Sequence, residues 1–180
     1  VIYIVRDPRN VITSISNHYS FNIEESYNFM IDNNKMLVAD KWGGKNFGIS
    51  EMLGSWSQHY KSWQNIKFAP ILNIKYENLI NDTKNSLITI INFLQRFIEV
   101  KVDNKKILKT VESCNFENLS KMEKKQGFDE AAYSEKTSKK VDFFHLGEKN
   151  NWKNLLNLKM EKKIRTAFDK EMKELKYIDM

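Results

Sequence analysis

Cysteine occurs once in these 180 residues, at Cys114, so no disulfide can form within the chain. That excludes a disulfide-stapled scaffold and points to a reducing, cytoplasmic setting. Histidine occurs three times, and no Cys/His cluster has zinc-ligand spacing, so no metal is expected. No apolar run approaches the length of a membrane span. Arginine is scarce as well, with 4 against 25 lysines, yet two of the four, Arg6 and Arg9, fall in one turn.

What is present fits one soluble domain with a substantial core over residues 1–180. The net charge is +6 and the pI about 9.2. That balance suits an anionic ligand, and it equally suits a lysine-coated surface, because the lysines are spread along the chain. The aromatics recur at core-like helical spacing and are not interleaved with lysine clusters, which argues against a nucleic-acid-binding module.

The apolar, β-branched run Val1–Val5 predicts a buried, parallel strand. Asp7-Pro8 starts a helix to about His18, with Asp as cap and Pro at the first helical position. Tyr27, Met30, Ile31 and Leu37 predict a helix over Ile23–Asp40, and Lys41–Gly48 a Gly-rich break. Leu53, Trp56, Tyr60 and Trp63 predict a helix over Ser50–Asn65. Ile71–Tyr76 reads as the second strand. A turn at Asn81-Asp82 precedes a helix from Thr83 to about Phe97. Shorter helices follow over Asp103–Ser113 and Phe116–Lys124. Residues 124–142 read as a mobile polar loop, and Leu158–Lys176 as a closing amphipathic helix. Strands alternating with helices give a helix-rich α/β fold with a parallel sheet. Two clear strands are few for that class, which leads us to expect that part of the sheet lies before Val1.

In α/β sheets, ligands gather at the carboxyl ends of strands, where Arg6 sits. Its forked donors suit a phosphate, the following helix aims its N-terminus at the same region, and Ser14 offers a hydroxyl about two turns on. The same residues also suit a structural Arg–carboxylate pair and a capped helix. Tyr76, at the end of the second strand, can face a base or sit in the core. Phe116 can stack on a purine or pack internally.

The order of these segments resembles the PAPS-dependent sulfotransferases (PAPS is 3′-phosphoadenosine 5′-phosphosulfate). VIYIVRDPRNVITS (Val1–Ser14) is similar to that family's 3′-phosphate motif IYIVRDPRDVAVS. GSWSQHYKSW (Gly54–Trp63) resembles its G-S-W-x-x-H-x-x-S-W helix, and ILNIKYENLIND (Ile71–Asp82) its strand ending in Tyr-Glu-Asp. CNF (Cys114–Phe116) lies where the family often has Thr-Ser-Phe beside the adenine. FFHLGEKNNWKN (Phe143–Asn154) resembles the lid F-F-R-K-G-x-x-G-x-W-K-N.

The resemblance implies a P-loop-NTPase-like parallel sheet flanked by helices, and transfer of a sulfuryl group from PAPS to an acceptor hydroxyl or amine, without a metal. The acceptor would be a small molecule, carbohydrate or peptide. The resemblance implies cofactor-binding roles for Arg6, Ser14, Tyr76, Cys114, Asn115, Phe116, His145, Leu146 and Gly147. The family's T-Y-P-K-S-G-T-like loop, with its lysine, and its catalytic histidine would precede Val1. None of His18, His59 and His145 matches that histidine, so no catalytic residue is expected here, and no turnover from this chain alone. The lid departs from the pattern. His145-Leu146 replaces Arg-Lys, leaving Lys149 or Lys153 as substitutes, and Asn150 replaces a glycine whose left-handed backbone it can adopt. A non-catalytic remnant that binds PAP (adenosine 3′,5′-bisphosphate) is the alternative reading.

Overall fold

The first strand, β1 (Ile2–Val5), has two unlike faces: Tyr3 and Val5 are buried, whereas Ile2 and Ile4 are exposed. The computed structural model describes residues 1–39, 49–129, 132, 134 and 139–179. β1 runs through Arg6-Asp7 into α1 (Pro8–Tyr19). The Asp7 carboxylate accepts from the Arg9 amide at 2.9 Å, and Pro8 takes the first helical position, where a missing N–H costs nothing. A capping box between Asn22 and Glu25 opens α2 (Ile23–Ile31).

The long helix expected over Ile23–Asp40 stops at Ile31. Asp32 turns the chain by accepting from the Asn34 amide at 2.9 Å. β2 (Met36–Ala39) follows and pairs antiparallel with β3 (Ile49–Met52), Met36 opposite Met52. Leu37, read as part of the helical stripe, is therefore a strand residue, and so is Ser50, read as a helix start. The Gly-rich break at Lys41–Gly48 lies outside the described residues. Gly54 takes a left-handed backbone (φ 68°), and Ser55 caps α3 (Trp56–Gln64) by accepting from the Gln58 amide.

β4 (Leu72–Lys75) pairs parallel with β1, Ile2 opposite Leu72 and Val5 opposite Lys75. It ends one residue before Tyr76, which opens α4 (Tyr76–Asn81). Asp82 caps α5 (Thr83–Leu94), and Asp103 caps α6 (Asn104–Ser113). α7 (Phe116–Gln126) runs into the stretch read as loop over 124–142. Of that stretch, residues 130, 131, 133 and 135–138 lie outside the described residues. A 3₁₀ turn at Gly147–Lys149 leads to α8 (Trp152–Leu155), α9 (Leu158–Ala167) and α10 (Asp169–Glu174). The single closing helix is thus broken at Phe168, whose buried ring packs 5.2 Å from that of Trp56.

The result is a helix-rich α/β fold with a parallel strand pair. Helices α1, α2, α9 and α10 meet around Ile12, Met30, Met160, Ile164, Phe168 and Met172. Tyr3 and Val5 of β1 pack with Tyr60 and Leu175 in a second cluster. Parallel pairing puts the carboxyl ends of β1 and β4 side by side, which brings Arg6 next to Tyr76.

Candidate functional site

Two arginines share the turn after β1, and the fold gives them opposite tasks. Arg9 is buried. Its guanidinium forks onto the Asp7 carboxylate, with Nη2 to Oδ2 at 2.7 Å, and donates to the Tyr177 carbonyl at 2.9 Å. It also lies 3.9 Å over the ring of Trp152. Arg9 therefore ties the β1–α1 joint to α8 and to the C-terminal segment. Asp7 is committed to Arg9 and to the α1 cap, so the N-terminus of α1 is already filled by a carboxylate. The expectation that this helix end faces the ligand is corrected accordingly.

Arg6 is the arginine left over. It reaches no carboxylate among the described residues. Its Nη1 donates to Ser14 Oγ at 3.3 Å, its guanidinium carbon lies 4.3 Å from the centre of the Tyr76 ring, and its buried Nε has no partner. A half-buried cation with an orphaned donor can take up an anion. Glu77, the adjacent carboxylate, is taken: it accepts from the Asp7 amide at 3.1 Å and from the Tyr177 hydroxyl at 3.0 Å. Burial, with the Glu77 charge beside it, pushes the Tyr177 hydroxyl up, which keeps it a donor.

Arg6 and Ser14 open onto a cavity of about 540 Å³. Of the residues singled out in the sequence, Tyr76, Cys114, Phe116, His145, Leu146 and Gly147 line it too. Asn115 does not; its side chain accepts from the Asn118 amide at 2.8 Å and caps α7. Lys149 and Lys153, the candidate replacements for the lid cations, are not on the wall either. His18 lines the cavity too, and its ring meets Phe143 edge-on at 6.4 Å. His59 is tied into the fold by its ring nitrogens. Trp63 Nε1 donates to its Nε2 at 3.3 Å, and its Nδ1 lies 3.1 Å from the Tyr3 hydroxyl.

Three devices hold the 143–150 segment over the cavity. Gly147 has φ 53°, and a Cβ there would fall 2.9 Å from Phe116 ring carbons, so only glycine fits. Glu123, buried on α7, accepts from the Phe143 amide at 2.7 Å and the Phe144 amide at 2.9 Å. Asn150, also buried, bonds to Thr13, Ser14 and the Asn10 carbonyl of α1. Its backbone (φ −72°) is not left-handed, so the turn does not rest on the conformation expected for it. Sequence reasoning missed Glu123 and the role of Asn150. Glu123 carried no signal: it stands among charged residues on a lysine-rich helix.

No group of three or more His, Cys, Asp or Glu among the described residues is placed to hold a metal. Among those residues, no helix is long and apolar enough to cross a membrane. A sequence model described as the sulfotransferase domain matches residues 1–176. The chain is similar in structure to a mouse sulfotransferase, SULT7A1, complexed with PAP: TM-score 0.65, 22% identity, 95% of this chain and 57% of that one. It is also similar to a retinol dehydratase in complex with retinol and PAP: TM-score 0.64, 19% identity, 96% of this chain and 47% of that one. The chain thus spans about half the length of these structures, which share its fold.

Proposed function

The chain belongs to the sulfotransferase domain family, and on that premise we propose that it supplies the adenosine 3′-phosphate half of a PAPS site in sulfuryl transfer to an acceptor hydroxyl or amine. The observation that carries this reading is Arg6: a guanidinium at a strand's carboxyl end, with its buried Nε unpartnered, no carboxylate in reach among the described residues and a serine hydroxyl at 3.3 Å. Those donors fit a phosphate dianion.

PAPS carries the sulfuryl group; the residues of this chain bind and orient the other end of the molecule. Arg6 and Ser14 hold the 3′-phosphate. Tyr76 backs Arg6, and Tyr76 with Phe116 offers ring surface to the adenine. Cys114 closes the same wall, and Asn115 fixes the start of α7 so that Phe116 points inward. His145, Leu146 and Gly147 cover the site. Such a binding role would keep the donor in one orientation for an in-line displacement. The acceptor class is a small molecule, carbohydrate or peptide. A cytoplasmic location belongs to the same reading, supported by the one free cysteine.

Calorimetry with PAP and with AMP, which lacks the 3′-phosphate, tests this. PAP should bind about 10- to 100-fold more tightly, as expected for one charge-assisted contact. Arg6→Ala should abolish that preference. Equal affinity for the two nucleotides in the unaltered protein, or an undiminished preference in Arg6→Ala, would refute it.

A further inference from the structure

The hydrogen bonds around Ser14 settle which way its hydroxyl works. Ser14 Oγ accepts from Asn150 Nδ2 at 2.9 Å and from Arg6 Nη1 at 3.3 Å. A hydroxyl has two lone pairs and one proton, so both acceptor positions are in use. Among the described residues the proton has one acceptor, the Asn10 carbonyl at 3.4 Å. That carbonyl already accepts from Asn150 Nδ2 at 3.3 Å. The Ser14 proton is thus loosely held and free to turn to an acceptor in the cavity.

The Asn150 amide is locked in the orientation this needs. Its Nδ2 faces the Asn10 carbonyl, and turning it over would set two acceptor oxygens against each other. Its Oδ1 accepts from Thr13 Oγ1. Asn150 is buried and follows the 3₁₀ turn of the covering segment, so it reaches α1 only while that segment is docked.

We propose that Asn150 is a positioning residue that makes Ser14 a donor-only hydroxyl, and thereby sets the site's preference for a 3′-phosphate over a 3′-hydroxyl. The proposal rests on the reading of Arg6 and Ser14 as a phosphate subsite. A phosphate dianion offers only acceptors, so a hydroxyl barred from accepting meets it without reorganisation. A ribose 3′-hydroxyl gains less, because its own proton finds no acceptor at Ser14.

The test is a double-mutant cycle on the affinities for PAP and AMP, using the unaltered protein, Ser14→Ala, Asn150→Ala and the double variant. Asn150→Ala should lower the PAP-over-AMP preference about five- to tenfold, within the net worth of one hydrogen bond and on top of any loss both nucleotides share when the covering segment loosens. In the Ser14→Ala background the same change should cost no more than about twofold, because the two residues act as a unit. Asn150→Asp, nearly equal in size, guards against a folding defect. Its carboxylate can only accept, so it captures the Ser14 proton and should lose at least as much preference. Equal weakening of PAP and AMP, a full Asn150→Ala effect in the Ser14→Ala background, or an unaltered preference in Asn150→Asp would overturn the proposal. An unaltered protein that binds PAP and AMP equally would instead remove the phosphate subsite itself, and the proposal with it.

Discussion

The guanidinium of Arg6 rests 4.3 Å from the centre of the Tyr76 ring, one residue past the end of β1 against one residue past the end of β4. Parallel pairing makes the two strand ends neighbours, and the ring then backs the guanidinium at the cavity wall. A cation–π contact of this kind contributes about 0.5–2 kcal/mol, depending on how far it is desolvated. Tyr76→Leu should therefore weaken PAP binding about three- to tenfold, whereas Tyr76→Phe, which keeps the ring, should bind PAP as the unaltered protein does. Calorimetry on both variants decides the point; a Phe variant as weak as the Leu variant would assign the effect to the hydroxyl.

Gly147 separates the covering segment from Phe116 by the width of a missing methyl. Gly147→Ala would place a Cβ 2.9 Å from ring carbons and force φ 53° on a residue with a side chain. Overpacking and strain of this sort together cost about 1–3 kcal/mol. The variant should melt several degrees lower and bind PAP more weakly. Adding Phe116→Leu should recover part of the melting temperature, since a smaller side chain leaves room for the methyl. No recovery would show that the backbone conformation alone sets the cost.

Glu123 joins α7 to the covering segment by accepting two consecutive amides, Phe143 and Phe144. A glutamine has one acceptor oxygen, so Glu123→Gln leaves one amide facing an NH₂ group. That costs about 1–3 kcal/mol, concentrated in the segment over the cavity. Hydrogen exchange should quicken at the amides of Phe143 and Phe144 while the β1–β4 amides keep their protection. Uniform quickening across the chain would mean that Glu123 supports the whole fold.

The parts legible in the sequence are those fixed by local chemistry. Asp7-Pro8 dictates the start of α1, and the run of β-branched residues dictates β1. The split between Arg6 and Arg9 was not legible, because it depends on Trp152 and the Tyr177 carbonyl, more than 140 residues away in the chain. The helix expected over Ile23–Asp40 failed for a related reason. Leu37 continues the helical period, but Asp32 accepts a backbone bond that ends the helix, and β3 supplies a strand partner that the period cannot show. Asn150 drew notice as a departure from a glycine, yet its role lies in side-chain bonds to α1 and not in the backbone freedom that pattern suggests.

His59 gives the protein a predictable response to acid. Trp63 can only donate, so the His59 Nε2 that receives its N–H must be unprotonated, and the neutral ring carries its proton on Nδ1, facing the Tyr3 hydroxyl. Burial holds the His59 pKa below its ordinary value of 6.5, against a smaller opposing pull from Glu51. The folded state therefore binds this proton less readily than the unfolded chain does. The stability that depends on neutral His59 is complete above 6.5 and is lost as pH falls below that value through the lowered pKa of the folded state. Protonation also sets an Nε2–H against the Trp63 N–H, which removes one bond under the sheet. Thermal midpoints from pH 7.5 down to 5 should fall for the unaltered protein. The fall should be shallower in His59→Gln, whose side-chain oxygen can still accept from Trp63 and does not titrate. Parallel profiles for the two proteins would show that His59 does not set the acid sensitivity.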